Sequence, residues 1–479
     1  MLTKILKADI LKSKILEASF WSILSEFAVK VITPFTYLLL TKFLKPEDFG
    51  SVAIITTIVA FLSIIADLGI AKLIIQNNNY KGIIKVNFIN HCLSMSIIFG
   101  LLLMVFLISL IYPIAEIFSI SNNIFDLFIL SFNIPFLAIN GVLISLLKKD
   151  FEFRKIFKVR LICVIIPSVI NIIMIFYGYG IRSIVISQLL SSIISVVIIY
   201  FSIDFKFSFY YSKKFNHEIF GKSLWNTLEQ IFMWLPMSID IFIMNLYLSK
   251  SELGLYTTSR TLFTSAIALS LGAITPVVFS LYSKFNNDLF KLIKIFKSTH
   301  YFIFLIASLL GVIVFNFFDY FETFFFNNEW KGIAKITSIV FLVLSINYFV
   351  NPFQELFNSL GFFKITSLIV VTNLLITLPF LMFSVKYGLI LYLIVRFSFL
   401  FLKIIPINYY TKKIKHDLSL FFFFKNTIYI WFFVLINVLN KILLNNLLIN
   451  ILIFFISITV FFLIEIKRIK FLLSVIMNK

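Results

Sequence analysis

The chemistry this sequence offers sits on a few ionisable and amide side chains embedded in long apolar runs. Lys30, Arg260 and Arg396 are cations whose sequence neighbours are mostly aliphatic and aromatic. A charge in an apolar medium is costly, so each must face protein, water or an anion. Glu26 precedes Lys30 by four residues, which leaves two readings of that cation: neutralised along its own helix, or free to hold an anionic ligand. Arg396 has no acid within a helical turn and needs a partner from elsewhere. Arg260 either lines an interior or snorkels to an interface. Asp67 and Asp240 are either partners for buried cations or carboxylates that take up H+ or Na+ and so bias one conformation over another. Asn226, Gln230, Asn347 and Asn351 recur at helical spacing. Such amides either bind neighbouring helices together or offer donors and acceptors to a polyhydroxylated ligand.

Metal, redox and nucleophilic chemistry find no such support. The two cysteines, Cys92 and Cys163, lie in separate apolar runs, and His91, His217, His300 and His416 are scattered, so no disulfide, metal site or cofactor is expected.

The elements that carry these residues must be membrane helices. Of 479 residues, 61% are hydrophobic and 13% charged, and the mean hydropathy is +1.03. Soluble domains run near ~25% charged, and a chain this apolar cannot cover its surface in water. With about 20 residues needed per crossing, fourteen spans are expected: 18–40, 51–74, 87–111, 124–147, 157–178, 181–203, 220–247, 254–280, 299–318, 334–357, 363–385, 387–406, 419–440 and 442–465. The first run is too long for a signal peptide and carries Trp21, Glu26 and Lys30, so it reads as a retained span.

The net charge of +20 points to orientation rather than nucleic acid. With both termini on one side, 31 of the 42 Lys and Arg fall in connections on that side and 8 on the other, the bias expected of cytoplasmic loops. Residues 1–17 alternate Lys with Ile and Leu and read as an amphipathic stretch on the inner surface, drawn to anionic membrane lipids.

The chain also repeats itself. Shifted by 204 residues, Phe20, Trp21 and Leu24 become Leu224, Trp225 and Leu228. With no gap, Phe43, Leu44, Asp48, Phe49 and Gly50 become Tyr247, Leu248, Glu252, Leu253 and Gly254. Six spans separate the copies, an even number, so both halves point the same way. Parallel repeats of this kind build two-lobed transporters around a central site. The expected organisation is a cytoplasmic N-terminus (1–17), an N-lobe of six spans (18–203), a cytoplasmic linker (204–219), a C-lobe of six spans (220–406) and two appended spans with a basic C-terminus (407–479).

Several stretches, in order along nearly the whole chain, resemble the polysaccharide transport (Wzx-like) flippases of the MOP exporter superfamily. They are Phe43 to Gly50, Ala66 to Ile70 with Leu73 to Gln76, Phe153 to Phe157, Gly180 to Val185, Ser238 to Asp240 with Leu253 to Tyr256, Pro276 to Phe279, and Glu329-Trp330 with Asn358 to Gly361. The subgroup suggested is that of the colanic and teichuronic acid exporters. Two positions depart from it: Ser280 stands where the family has Pro, and Phe362 where it has Arg, which removes one contact to a lipid phosphate.

The resemblance implies an all-α integral membrane protein, two six-helix lobes about a lumen plus two C-terminal helices. It would move an undecaprenyl-diphosphate-linked oligosaccharide from the cytoplasmic to the outer leaflet of a bacterial inner membrane. Lys30, Arg260 and Arg396 would then be lumen cations. Asp67, Asp240 and Glu26 would be ion-coupling or structural acids, and Asn226, Gln230, Asn347 and Asn351 sugar contacts. Polysaccharide polymerase machinery would be a further partner. Two alternatives lie in the same superfamily: a lipid II flippase, which fourteen spans also fit, and a multidrug/cation antiporter, which would need a compact site dominated by acids. A membrane polymerase fits less well, because the outer loops are too short to hold a catalytic site.

Overall fold

The computed structural model describes residues 2–76, 80–203, 205–272, 274–286, 288–414, 419–444 and 447–477. Every regular element among them is helical, as an apolar solvent demands, since a helix satisfies its backbone polar groups within one segment. Twelve helical segments are long and apolar enough to cross a bilayer. A thirteenth results if Leu420–Asn426 and Ile428–Leu443, bent by 65° at Thr427, form one span. The expected span 254–280 is not among them. Its helix, Lys250–Leu271, is long enough at ~33 Å, but Thr257, Thr258, Ser259, Arg260, Thr261, Thr264, Ser265 and Ser270 make it the polar one of the set.

The chain divides into two compact units, Met1–Thr257 and Thr258–Lys479. The first contains α1 (Leu2–Leu40), α2 (Pro46–Asp67), α3 (Gly82–Ser109), α4 (Asn133–Lys149), α5 (Phe153–Phe176), α6 (Ile181–Ser202), α7 (Leu224–Tyr247) and the first turns of α8 (Lys250–Leu271). α1 packs along α5, and α5 along α6. A buried cluster including Cys92 and Leu93 of α3, Val142 and Leu146 of α4 and Ile199 of α6 holds the centre. Residues 205–212 run in irregular backbone along α3. Their N–H groups donate to its side chains: Ser208 to Asn90 Oδ1 (3.0 Å), Tyr210 to Ser94 Oγ (3.1 Å) and Ser212 to His91 Nδ1 (3.3 Å).

The sequence repeat has a physical counterpart in this unit. At the start of α2 the Lys45 N–H donates to Asp48 Oδ2 (2.9 Å), and at the start of α8 the Ser249 N–H donates to Glu252 Oε2 (3.1 Å). In both copies an acid in the first turn caps a donor that the helix leaves unpaired and complements its dipole. The two repeat glycines meet. A Cβ on Gly50 would lie 2.1 Å from the Lys250 carbonyl oxygen, and one on Gly254 1.8 Å from that of Pro46. Glycine is required at both because the helices approach backbone to backbone.

The second unit holds the rest of α8, then α9 (Leu289–Phe325), α10 (Ile333–Ile346), α11 (Phe363–Ser384), α12 (Leu389–Ser398), α13 (Ile428–Leu444) and α14 (Leu447–Met477). α9 and α10 pack closely, with Gly311 against Ser345. Phe296, His300, Phe353 and Phe423 form an edge-to-face aromatic cluster. Asn440 of α13 donates to Asn450 Oδ1 of α14 (2.9 Å). Lys441 pairs with Asp319 of α9 (2.6 Å).

Candidate binding cavity

Within the first unit, α1, α4, α5 and α6 enclose a cavity of about 510 Å³, within the usual range for small-molecule sites. Helical spacing accounts for its walls. Glu26 and Lys30 are one turn apart on α1, and Asn133 and Asn140 two turns apart on α4. Gln188, Ser191, Ser192 and Ser195 form a single stripe on α6. Arg160, in the second turn of α5, completes the lining.

The charges are arranged unevenly. The Glu26 carboxylate is bonded by Arg160 Nη1 across the α1–α5 seam. The pairing of Glu26 with Lys30 along α1 is therefore not the one formed, because a guanidinium from the neighbouring helix reaches the carboxylate first. Lys30 is half-buried and makes no ion pair among the described residues. The cavity thus contains one mutually neutralised pair and one cation over. On α6, Ser195 Oγ donates to Asn140 Oδ1 (2.8 Å), Ser191 Oγ to the Cys163 carbonyl (2.7 Å), and Ser192 Oγ meets one end of the Asn133 carboxamide.

The other expected site residues lie elsewhere. Asp67, the last residue of α2, accepts from Gln230 Nε2 of α7 (3.3 Å). Beside this contact Lys72 pairs with Glu229 (2.5 Å), and Ser223 Oγ donates to the Leu68 carbonyl. Asn226 packs against Gly69 so closely that a Cβ there would lie 2.6 Å from its own. Asn226 and Gln230 therefore belong to the α2–α7 seam and not to the cavity. Asp240 is buried and accepts from Tyr256 OH (3.0 Å).

In the second unit Asn347 Nδ2 donates to Asn351 Oδ1 (3.2 Å) where α10 breaks ahead of Pro352, so these two amides bind each other. Arg260 is half-buried on α8. Arg396 is half-buried near the end of α12, with Lys403 close enough to feel its charge.

Reading the sequence missed Arg160 and Lys403, which were counted with the loop cations, although helices Phe153–Phe176 and Leu389–Lys413 include them. It also missed the α6 stripe, whose signal was available as four polar residues at i, i+3, i+4 and i+7.

The family described as "Polysaccharide biosynthesis protein" matches residues 39–335. The chain belongs to this family. The match includes the cavity walls of α4, α5 and α6 and ends inside α10. The chain is 24% identical over 277 residues to a succinoglycan biosynthesis transport protein, ExoT, of Rhizobium meliloti, 56% of this chain and 53% of that one. It thus spans about half the length of that relative. A second relative, an uncharacterized membrane protein in the cps region of Klebsiella pneumoniae, is 24% identical over 395 residues, 78% of this chain and 77% of that one.

Among solved structures, the chain resembles the lipid II flippase MurJ in an inward closed conformation. The TM-score is 0.73 at 18% identity, covering 93% of this chain and 99% of the other. It also resembles an inward-facing multidrug resistance transporter of the MATE family, with a TM-score of 0.62 at 15% identity, covering 83% and 95%. The chain shares the fold of these two structures.

Proposed function

We propose that this protein is a flippase that carries an undecaprenyl-diphosphate-linked oligosaccharide from the inner to the outer leaflet of the cytoplasmic membrane by alternating access. The observation that carries this reading is the polar cavity among apolar spans, with Lys30 left over once Glu26 and Arg160 have paired. The problem to be solved is physical: a diphosphate and its sugars must traverse about 30 Å of hydrocarbon. An ionised group there costs at least about 2.5–3.5 kcal/mol. A fixed ammonium facing a water-accessible cavity offsets that cost through a charge-assisted hydrogen bond to phosphate, while the prenyl chain stays in lipid. No bond is broken.

We further propose the fourteen-span topology with both termini cytoplasmic, in which the polar helix α8 is the eighth span and the repeat relates two six-helix lobes. Asp67 and Asp240, each held by a hydrogen bond, we assign to helix contacts. The likeness to MurJ supports a second reading in the same chemistry, a lipid II flippase, because that substrate is also a polyprenyl diphosphate. An acid-dominated antiporter site is disfavoured by two cations against one carboxylate in the cavity.

Complementation of surface-polysaccharide export tests the proposal. Lys30→Ala abolishes export at equal protein level and Lys30→Arg retains much of it. Normal export from Lys30→Ala overturns the assignment.

A further inference from the structure

We infer that the α4–α6 wall of the cavity is a saccharide subsite. In it, Asn133, Asn140 and Gln188 read the sugar nearest the diphosphate, while Lys30 holds the anion. The inference rests on the flippase reading and adds to it which part of the cargo each wall receives.

The carboxamides are fixed at one end and open at the other. Ser195 occupies the Asn140 carbonyl oxygen at 2.8 Å, and its Nδ2 makes no hydrogen bond among the described residues. Ser192 holds Asn133 in the same way. Gln188 makes no hydrogen bond among the described residues at either end of its amide. A planar amide that lines the cavity with a free donor or acceptor matches the hydroxyl groups of a pyranose, each of which accepts and donates at fixed angles.

Amides that serve only as glue between helices use both ends on protein or bury them. Asn440 and Asn450 of α13 and α14 bond each other in that manner. The cation on the facing helix supplies what the amides cannot, attraction to an anionic oxygen. A diphosphate-linked sugar presents the two kinds of group side by side, as the cavity does.

The test uses the purified full chain in nanodiscs and four probes: a bare polyprenyl diphosphate, and the same lipid bearing one hexose, one hexuronate or one N-acetylhexosamine. The wild type should bind at least one glycosylated probe about tenfold or more tightly than the bare lipid. Each neutral hydrogen bond removed should lower that ratio about three- to tenfold, so Asn133→Ala with Asn140→Ala brings it close to one. Gln188→Leu lowers it as well, and the Gln188 side chain makes no hydrogen bond among the described residues whose loss would destabilise the fold. Lys30→Ala weakens all four probes and keeps the ratio.

A ratio that survives in both amide variants, or a wild type that prefers no glycosylated probe, overturns the subsite. If the bare diphosphate fails to bind the wild type at all, the flippase reading itself has failed.

Discussion

Gly50→Ala and Gly254→Ala probe the repeat where its two copies touch. A Cβ at either position points at a carbonyl oxygen, at 2.1 Å from Lys250 and 1.8 Å from Pro46, where real Cβ contacts are essentially never under 3.0 Å. The first turns of α2 and α8 must therefore separate by about 0.9 Å in the first variant and about 1.2 Å in the second. Both obstacles are backbone, so no rotamer change relieves them. Overpacking of this kind costs about 1–3 kcal/mol.

The double variant separates this account from a generic loss of helix packing. One displacement of α8 away from α2 clears both clashes, so the double should cost less than the two singles together, by at least about 0.5 kcal/mol. Reversible unfolding of the purified protein in mixed micelles measures all three. Strictly additive costs, or a single variant within about 0.5 kcal/mol of wild type, would mean that the two glycines do not share one crossing.

Each unit offers one further test. Lys250 donates to the Phe118 carbonyl (2.6 Å) and to the Asn245 carboxamide oxygen. Lys250→Met leaves both acceptors unmet and should cost about 1–3 kcal/mol. An unfolding midpoint equal to that of the wild type would contradict it. In the second unit, Asn440→Leu removes the interhelical bond to Asn450 and should cost about 0.6–1.7 kcal/mol. An unchanged unfolding midpoint in detergent would show the bond to be without net value.

Much of this protein could be read in one dimension. The spans follow from hydropathy, because a bilayer admits only apolar helices of a set length. The exception is α8, which hydropathy alone passes over. The run 254–280 was expected as a span from its length and its apolar residues, but its Ser, Thr and Arg residues keep its helix out of the segments apolar enough to cross. Lys30 was visible as a charge in an apolar run. Gly50 and Gly254 were visible as partners in the repeat, though not as neighbours in space.

Other features depended on which helices pack together. Arg160 is two turns from a loop in sequence, and only the packing of α1 on α5 directs it to Glu26, so that Lys30 makes no ion pair among the described residues. The neutral residues of α6 are unremarkable singly, since Ser and Gln are tolerated in any span. They become a wall because α4 faces them. By the same logic Gln230, Asn347 and Asn351, equally suited to a ligand by type, bond other protein groups, and Asn226 lies against Gly69 in the α2–α7 seam. Sequence determined which residues sit in the membrane, because solvent transfer is a property of each residue and its near neighbours. Tertiary structure decided which of them remain available for a ligand. A hydrogen bond or an ion pair goes to whichever partner lies within about 3 Å, and chain order does not record that distance.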